Sequence, residues 1–245
     1  MNRFDFANIL FAGPCNLRCP YCIGQQLDPA LSVNNLHEFP LHNLDKFAGL
    51  LRQHQVREVT LTGTTTDPQL YRHEARLLTW LRRELPPNTR LSLHTNGQLA
   101  RRKMEVINQY DRISISFPSF NPDTYRQMTG APHPPRLADI VRLARVPVKI
   151  SCVINQHNHR EVPKFLARCR DLGLKRLVFR QLYGDPTRYP IVDHLPQVGD
   201  FCGNPVYDYH GLEVTYWRFE QSSARALNLF STGLISPHYL LKSAR

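Results

Sequence analysis

The sequence predicts an α/β protein: a partly closed barrel of about six parallel strands, followed by a small β-rich extension. Two observations carry this expectation. Apolar strand-like segments alternate with longer helical ones six times, which indicates a parallel sheet with right-handed crossovers. Each strand is also apolar on one face only, so helices cover one side of the sheet and something polar occupies the other.

Residues 6–12 form the first expected strand, and 43–54 the first helix, with Leu44, Phe47, Leu50 and Leu51 at helical spacing. Strand 57–62 places Val59 and Leu61 opposite Glu58, Thr60 and Thr62, and helix 70–86 follows. Strand 90–95 sets Leu91 and Leu93 against Ser92 and His94, and leads into helix 98–108. In strand 111–117, Ile113, Ile115 and Phe117 oppose Ser114 and Ser116, before short helices at 122–128 and 137–145. Strand 147–154 has Val148, Ile150, Cys152 and Ile154 on one face, with Lys149 and Ser151 on the other. Helix 160–172 and strand 175–182 complete the series. A closed eight-stranded barrel fills its interior with bulky apolar side chains, and a doubly wound sheet is apolar on both faces. A polar inner face fits a partial barrel wide enough to hold a polar ligand.

After residue 183 the alternation stops. Gly184, Pro186, Pro190, Pro196 and Gly199 mark a loop, and residues 205–219 resemble a hairpin turning at His210-Gly211. Residues 227–235 are expected to add a strand. Residues 1–183 are therefore read as the barrel core, and 184–245 as an extension or lid over its mouth.

The 31 Lys and Arg outnumber the 20 Asp and Glu, giving a formal charge of +11. Nucleic acid, an anionic small substrate and a basic but inert surface are the three readings of this charge, and because the basic residues are dispersed along expected helices, the pattern of solvated faces, nucleic acid is a lesser one. The N-terminal apolar run is broken by Asp5 and Asn8, too short for a signal peptide, and no run is long enough to span a membrane. The protein is expected in the cytoplasm.

Directly after the first strand comes Cys15-Asn-Leu-Arg-Cys19-Pro-Tyr-Cys22, a C-x-x-x-C-x-x-C spacing on a loop marked by Pro14 and Pro20. Electron-transfer clusters use four cysteines. Three thiolates can hold three irons of a [4Fe–4S] cube and leave the fourth open to a cofactor. The rival is structural zinc, which needs a fourth ligand such as His37 or His42 and would suit a nucleic-acid-binding protein. Cys152 and Cys169 read as small core residues and Cys202 as a loop cysteine, too scattered for a second cluster.

On these residues the sequence resembles the radical S-adenosylmethionine (SAM) superfamily over roughly residues 6–183. Gly63-Thr64-Thr65-Thr66-Asp67-Pro68 looks like a variant of that family's Gly-Gly-Glu-Pro segment, longer, with one glycine and with Asp in place of Glu. His94-Thr95-Asn96-Gly97 is similar to its Thr-Asn-Gly turn.

The resemblance implies a partial (β/α)6 barrel with a [4Fe–4S] cluster on Cys15, Cys19 and Cys22, which are thereby also the catalytic residues. It implies SAM held by Tyr21, Gly63, Thr64, Thr65, Asn96, Ser114, Ser116, Lys149, Ser151, Asn155 and Leu182. It also implies reductive cleavage of SAM to a 5′-deoxyadenosyl radical that takes hydrogen from a substrate. The substrate is expected to be a small anionic metabolite of nucleoside or nucleotide-sugar type, met by Asp67, His94, Arg180, Gln181, Tyr183 and Arg225, with Asn228 beside them. Carbon–carbon bond formation or rearrangement in biosynthesis is the expected outcome. Modification of tRNA or a peptide is the alternative. An electron donor such as flavodoxin or ferredoxin is the implied partner.

Overall fold

The computed structural model describes residues 4–241. Its strands are β1 (Phe6–Phe11), β2 (Glu58–Gly63), β3 (Arg90–Thr95), β4 (Arg112–Ser116), β5 (Val148–Ile154), β6 (Arg176–Gln181), β7 (Gln197–Phe201), β8 (Asn204–Tyr209), β9 (Leu212–Trp217), β10 (Ala226–Leu229) and β11 (Ile235–Ser236). The helices are α1 (Leu44–Gln53), α2 (Glu74–Glu84), α3 (Met104–Ile107), α4 (Pro122–Thr129), α5 (Leu137–Leu143) and α6 (Val162–Asp171). They form one sheet in the order β11-β10-β1-β2-β3-β4-β5-β6-β9-β8-β7. Every pairing from β10 through β1 to β6 and on to β9 is parallel.

The alternation places the core as expected. Val59, Leu61, Leu91, Leu93, Ile113, Ile115, Ile150 and Leu177 are buried in one cluster with Phe47 and Leu51 of α1, Leu77 and Leu81 of α2, and Phe165 and Cys169 of α6. Full burial of each such side chain stabilises the fold by about 1.5–3 kcal/mol. The opposite face is lined by Thr60, Ser92, Ser114 and Thr215, which are buried although polar. At the strand starts this face carries a charged floor. Arg112 donates to Glu58 and, at 3.0 Å, to Ser92, and Arg176 pairs with Glu213 at 2.7 Å.

Four elements depart from the sequence-based expectation. The helix at 98–108 is a chain of tight turns and one α turn, Met104–Ile107, because Gly97 leaves β3 at φ +77° and the following amides bond three residues back. Helix α2 ends at Glu84, ahead of Pro86 and Pro87, since the residue before a proline disfavours the helical conformation. The strand β7 had no sequence signal, because all five of its residues are exposed and no apolar face repeats along it. The strand expected at 227–235 is two short ones, β10 and β11.

The hairpin appears as β8 and β9, with His210 and Gly211 both at positive φ, the turn whose twist matches the flanking strands. Residues after 183 join the sheet. β9 adds to β6 and β10 adds to β1, so the extension widens the barrel at both edges. Its tail then returns beside the cysteine loop, where Leu241 bridges Leu27 and Tyr239 packs with Leu10, Leu27 and Phe230. No helix among the described residues is long and apolar enough to cross a membrane.

Candidate functional site

The three cysteines lie on the loop leaving β1 at the C-terminal ends of the parallel strands, where sites form in barrels of this kind. Cys15 is exposed, and Cys19 and Cys22 are half-buried. Local hydrogen bonds shape the loop: the Leu17 amide donates to Cys15 Sγ at 3.4 Å and the Cys22 amide to the Cys19 carbonyl at 3.1 Å. The end of α4 buttresses it, since the Arg18 amide donates to the Thr129 carbonyl at 2.8 Å.

The thiols feel one another. Burial pushes Cys19 up to about 12, with the Cys22 and Cys15 charges adding to it, and burial likewise raises Cys15. Such a set is at ease only with cations among it, since a coordinating metal takes the thiol proton outright. No three His, Cys, Asp or Glu side chains among the described residues converge on a single metal ion, so neither His37 nor His42 completes a zinc site with these cysteines. A cube binds each thiolate on a separate iron, so its ligands need no common point.

The loop after β2 is laced to the cysteine loop through its threonines. Thr64 Oγ1 donates to the Phe11 carbonyl at 3.0 Å, Thr66 Oγ1 donates to Pro14 at 2.6 Å, and Thr65 Oγ1 accepts from the Gly13 amide at 3.2 Å. The Cys22 thiol lies 3.6 Å from the Thr64 carbonyl. Glycines permit the approach: a Cβ on Gly24 would stand 2.2 Å from the Thr64 oxygen, and one on Gly63 only 1.6 Å from the Thr66 oxygen. The hydroxyls of Thr64 and Thr66 thus hold backbone, and the Thr64 amide donates to the Phe11 carbonyl at 2.8 Å, so the end of β2 is tied to the loop that carries the cysteines.

Asp67, expected near substrate, is instead a clamp. It is 4% exposed and accepts from the Asn96 amide (2.6 Å), the Gln69 amide (2.9 Å) and Thr95 Oγ1 (2.9 Å), so its carboxylate is engaged by the ends of β2 and β3. Asn96 in turn donates to Asn16 Oδ1 at 2.7 Å, between Cys15 and Cys19, so the clamp reaches the cysteine loop. Burial, opposed by those hydrogen bonds, holds the Asp67 carboxyl up at about 6. A carboxyl whose folded-state value is raised makes the folded protein bind a proton that the unfolded chain releases near its ordinary value. Stability contributed by Asp67 is therefore greatest at acid pH and falls as pH rises from about 4 to about 6. Asp67→Asn is expected to flatten that slope in melting temperatures taken from pH 4 to 8. Its amide cannot accept from every one of these donors, which costs about 1–3 kcal/mol. Superimposable pH profiles for the two proteins would refute the assignment.

A cavity of about 290 Å³ opens at the strand ends, lined by Tyr21, Ile23, Met128, Asn155, Gln156, His157, Leu182 and Tyr183 among others. Three residues expected on the cofactor, Tyr21, Asn155 and Leu182, thus meet there. Asn155 Oδ1 accepts from the His157 amide at 2.9 Å, which fixes the turn that shapes the wall. Gln156, His157, Gln26 and Met128 carried no sequence signal, being ordinary loop and helix residues.

Deeper in the lumen lie His94, Ser114, Lys149, Ser151 and Arg180. Burial first, then the Arg180, Arg112 and Arg176 charges, depress Lys149 to about 7. Burial lowers Arg180 to about 10. His94 is held well below its ordinary value by burial, then by Lys149 and Arg180. Ser116 is exposed at the end of its strand. Gln181 Nε2 donates to the Asp185 carbonyl at 2.9 Å and so shapes the turn after β6.

Arg225 does not join the site. It precedes β10 at the strand starts, where its amide donates to Asp5 at 2.8 Å, the end of the barrel away from the cysteines. Asn228 lies within the sheet, accepting from Asn8 at 2.8 Å. Tyr239 was missed: its phenol is buried and raised by that burial and by the Cys22 charge, yet a lone tyrosine near a chain end carries no motif.

Comparison with known proteins agrees with this geometry. A sequence profile of the Radical SAM superfamily matches residues 9–188. A GTP 3′,8-cyclase of Rhodopseudomonas palustris is 29% identical over 180 residues, covering 69% of this chain and 50% of that protein. A GTP 3′,8-cyclase of Limosilactobacillus fermentum is 23% identical over 229 residues, 86% of this chain and 65% of that one. The chain spans about half the length of the first of these relatives. Among solved structures, anSMEcpe with bound AdoMet and Cp18Cys peptide gives a TM-score of 0.59 at 14% identity, covering 96% of this chain and 74% of that one. Streptococcus suis SuiB bound to precursor peptide SuiA gives 0.56 at 15%, covering 73% and 40%. At such identities these two likenesses establish the fold alone.

Proposed function

The chain belongs to the radical SAM superfamily, and from that premise we propose that it abstracts hydrogen from a small anionic metabolite of nucleoside-phosphate type held in its barrel. As a member it is an enzyme that uses a [4Fe–4S] cluster and SAM. The residues fit that pair. Cys15, Cys19 and Cys22, on the loop that leaves β1, would hold the cluster through three of its irons. The backbone of Gly63–Thr65, with Tyr21, Asn96, Asn155 and Leu182, would hold SAM beside it, in and around a cavity of about 290 Å³. Bound together, the two supply one-electron chemistry that yields a carbon radical able to take a hydrogen atom from the substrate.

The protein's own share is placement. The threonine lacing and the Asp67–Asn96–Asn16 chain fix the cysteine loop against the ends of β2 and β3. The walls of the lumen keep water away from a reactive intermediate. The observation that carries the reading is the meeting of a three-cysteine loop with a polar-walled cavity at the C-terminal ends of a parallel barrel. The polar, cationic inner face and the relatives named for GTP favour a nucleotide-like substrate. An external one-electron donor, a ferredoxin or flavodoxin, completes the proposal, with the cytoplasm as its setting.

The test is anaerobic isolation and reconstitution. The expected product is a brown protein with about four irons and four sulfides per chain and absorbance near roughly 400 nm. Adding SAM should change the electron paramagnetic resonance spectrum of the reduced protein, and dithionite should then release methionine and 5′-deoxyadenosine. Stoichiometric zinc with no restorable iron would end the proposal.

A further inference from the structure

We propose that Glu74, held by Lys103 and Tyr110, is a positioning residue for the cysteine loop and for the cofactor beside it. It acts through the turn after β2: Lys103 ties Glu74 to that turn, the turn carries Asp67, and Asp67 fixes Asn96 and, through it, Asn16. The inference rests on the reading that Cys15, Cys19 and Cys22 hold the cluster, and it extends the support of their loop into the helical layer around the barrel.

Glu74 opens α2, where a carboxylate favours the positive end of the helix. That role needs neither burial nor a partner, yet Glu74 is 2% exposed and both of its oxygens are engaged. Oε1 accepts from the Tyr110 hydroxyl at 2.8 Å, and Oε2 accepts from Lys103 Nζ at 2.5 Å. Lys103 and Tyr110 stand on either side of α3 in sequence, so one carboxylate gathers both ends of that short turn. Lys103 Nζ also donates to the Gln69 carbonyl at 2.5 Å. Its ammonium therefore bridges α2 and the tight turn Pro68–Leu70.

That turn is held by its backbone. Gln69 is 1% exposed and its side-chain NH2 has no hydrogen-bond partner among the described residues, which costs free energy, so the side chain does not by itself account for the position. The Gln69 carbonyl is bound by Lys103 and its amide donates to Asp67 Oδ1 at 2.9 Å. Asp67 Oδ2 accepts from the Asn96 amide at 2.6 Å, and Asn96 Nδ2 donates to Asn16 Oδ1 at 2.7 Å. Asn16 Oδ1 lies 3.6 Å from Cys15 Sγ. Glu74, Gln69, Asp67 and Asn96 are all buried, so little water is at hand to replace a lost partner, and a shift at Glu74 is passed along the chain of bonds.

The energetics favour placement over stability as the role of Glu74. A largely buried ion pair adds little net stability, because desolvation offsets the attraction, and apolar residues of similar volume often do as well. What an apolar pair could not supply is the donor aimed at the Gln69 carbonyl.

The experiment is a double-mutant cycle on anaerobically reconstituted protein, reading SAM affinity through the electron paramagnetic resonance of the reduced cluster, with iron content and melting temperature alongside. Glu74→Gln should keep its iron and bind SAM about threefold to tenfold more weakly, a coupling ordinary for linked residues. Tyr110→Phe keeps the ring in the core and removes one bond to Glu74; it should act in the same direction and carries the test if Glu74→Gln fails to fold. Glu84→Gln removes the same charge from the far end of α2 and should leave SAM affinity unchanged. In an Asn16→Ala background, Glu74→Gln should cost no further SAM affinity while still changing the melting temperature. An equal loss of SAM affinity with and without Asn16 overturns the proposal, since the effect would then bypass the loop. So does a lowered melting temperature with SAM affinity and spectrum unchanged, which would make Glu74 a stabilising residue only. Failure of the parent protein to take up iron strikes the functional reading instead, and the two failures are told apart.

Discussion

Anaerobically reconstituted Cys15→Ala, Cys19→Ala and Cys22→Ala proteins should each lose most of their iron and cleave SAM no faster than a sample without enzyme. The reason is ligand arithmetic. Three thiolates leave one iron open, and removing any of them leaves two irons without protein ligands, which a cluster at an exposed loop does not survive. The effect should be the same for all three, because their roles are equivalent even though Cys15 is exposed and Cys19 is not.

The other cysteines provide the contrast. Cys152 is buried and its sulfur accepts from Asn158 Nδ2 at 3.5 Å, while Cys169 is buried in the apolar cluster with Phe165 and Leu166. Replacing either by Ala should lower stability by about 1 kcal/mol through lost packing and leave iron content unchanged. Iron and sulfide analysis with circular dichroism melts separates the two classes. Full iron in all three loop variants would remove the basis of the proposed function.

Much of this site was legible because its chemistry is local in sequence. The cysteines fall within eight positions, and the period-two alternation of each strand told which residues face the lumen, so Ser114, Lys149 and Ser151 were named without coordinates. What the sequence hid was pairing at a distance. Asp67 reads as a free carboxylate until the Thr95 and Asn96 partners, almost thirty residues on, are seen to bind it. Arg225 reads as an extension residue that closes over the substrate, and only the register of β10 on β1 shows it at the other end of the barrel. Where the extension attaches was hidden for the same reason. The edge strands β9 and β10 carry the composition of any strand, and nothing local says which partner each will choose. Tyr239 reaches the cysteine loop by way of that unforeseen pairing.

Gly63→Ala should be a severely damaging single methyl. A Cβ there would lie 1.6 Å from the Thr66 carbonyl oxygen and 2.7 Å from its carbon, both backbone atoms that cannot swing aside. Thr66 is itself tied to Pro14 at 2.6 Å, so relief by moving it would drag the cysteine loop. Overpacking against backbone costs about 1–3 kcal/mol, which for a chain of this size lowers the melting temperature by roughly 2–12 °C. SAM affinity should fall with it, since the loop that must yield is the one proposed to meet the cofactor.

Gly24→Ala should act similarly but less severely, its Cβ falling 2.2 Å from the Thr64 oxygen. Gly49 in α1 is the opposite case: nothing lies within 4 Å of its would-be Cβ, so Gly49→Ala should raise stability by about 0.5–1 kcal/mol through helix propensity alone. Thermal melts of the apo-proteins and SAM titration of the reconstituted ones measure both effects. If Gly63→Ala melts with the parent protein and binds SAM as well, the loop is not under the constraint described, and the coupling between the cysteine loop and the end of β2 is wrong.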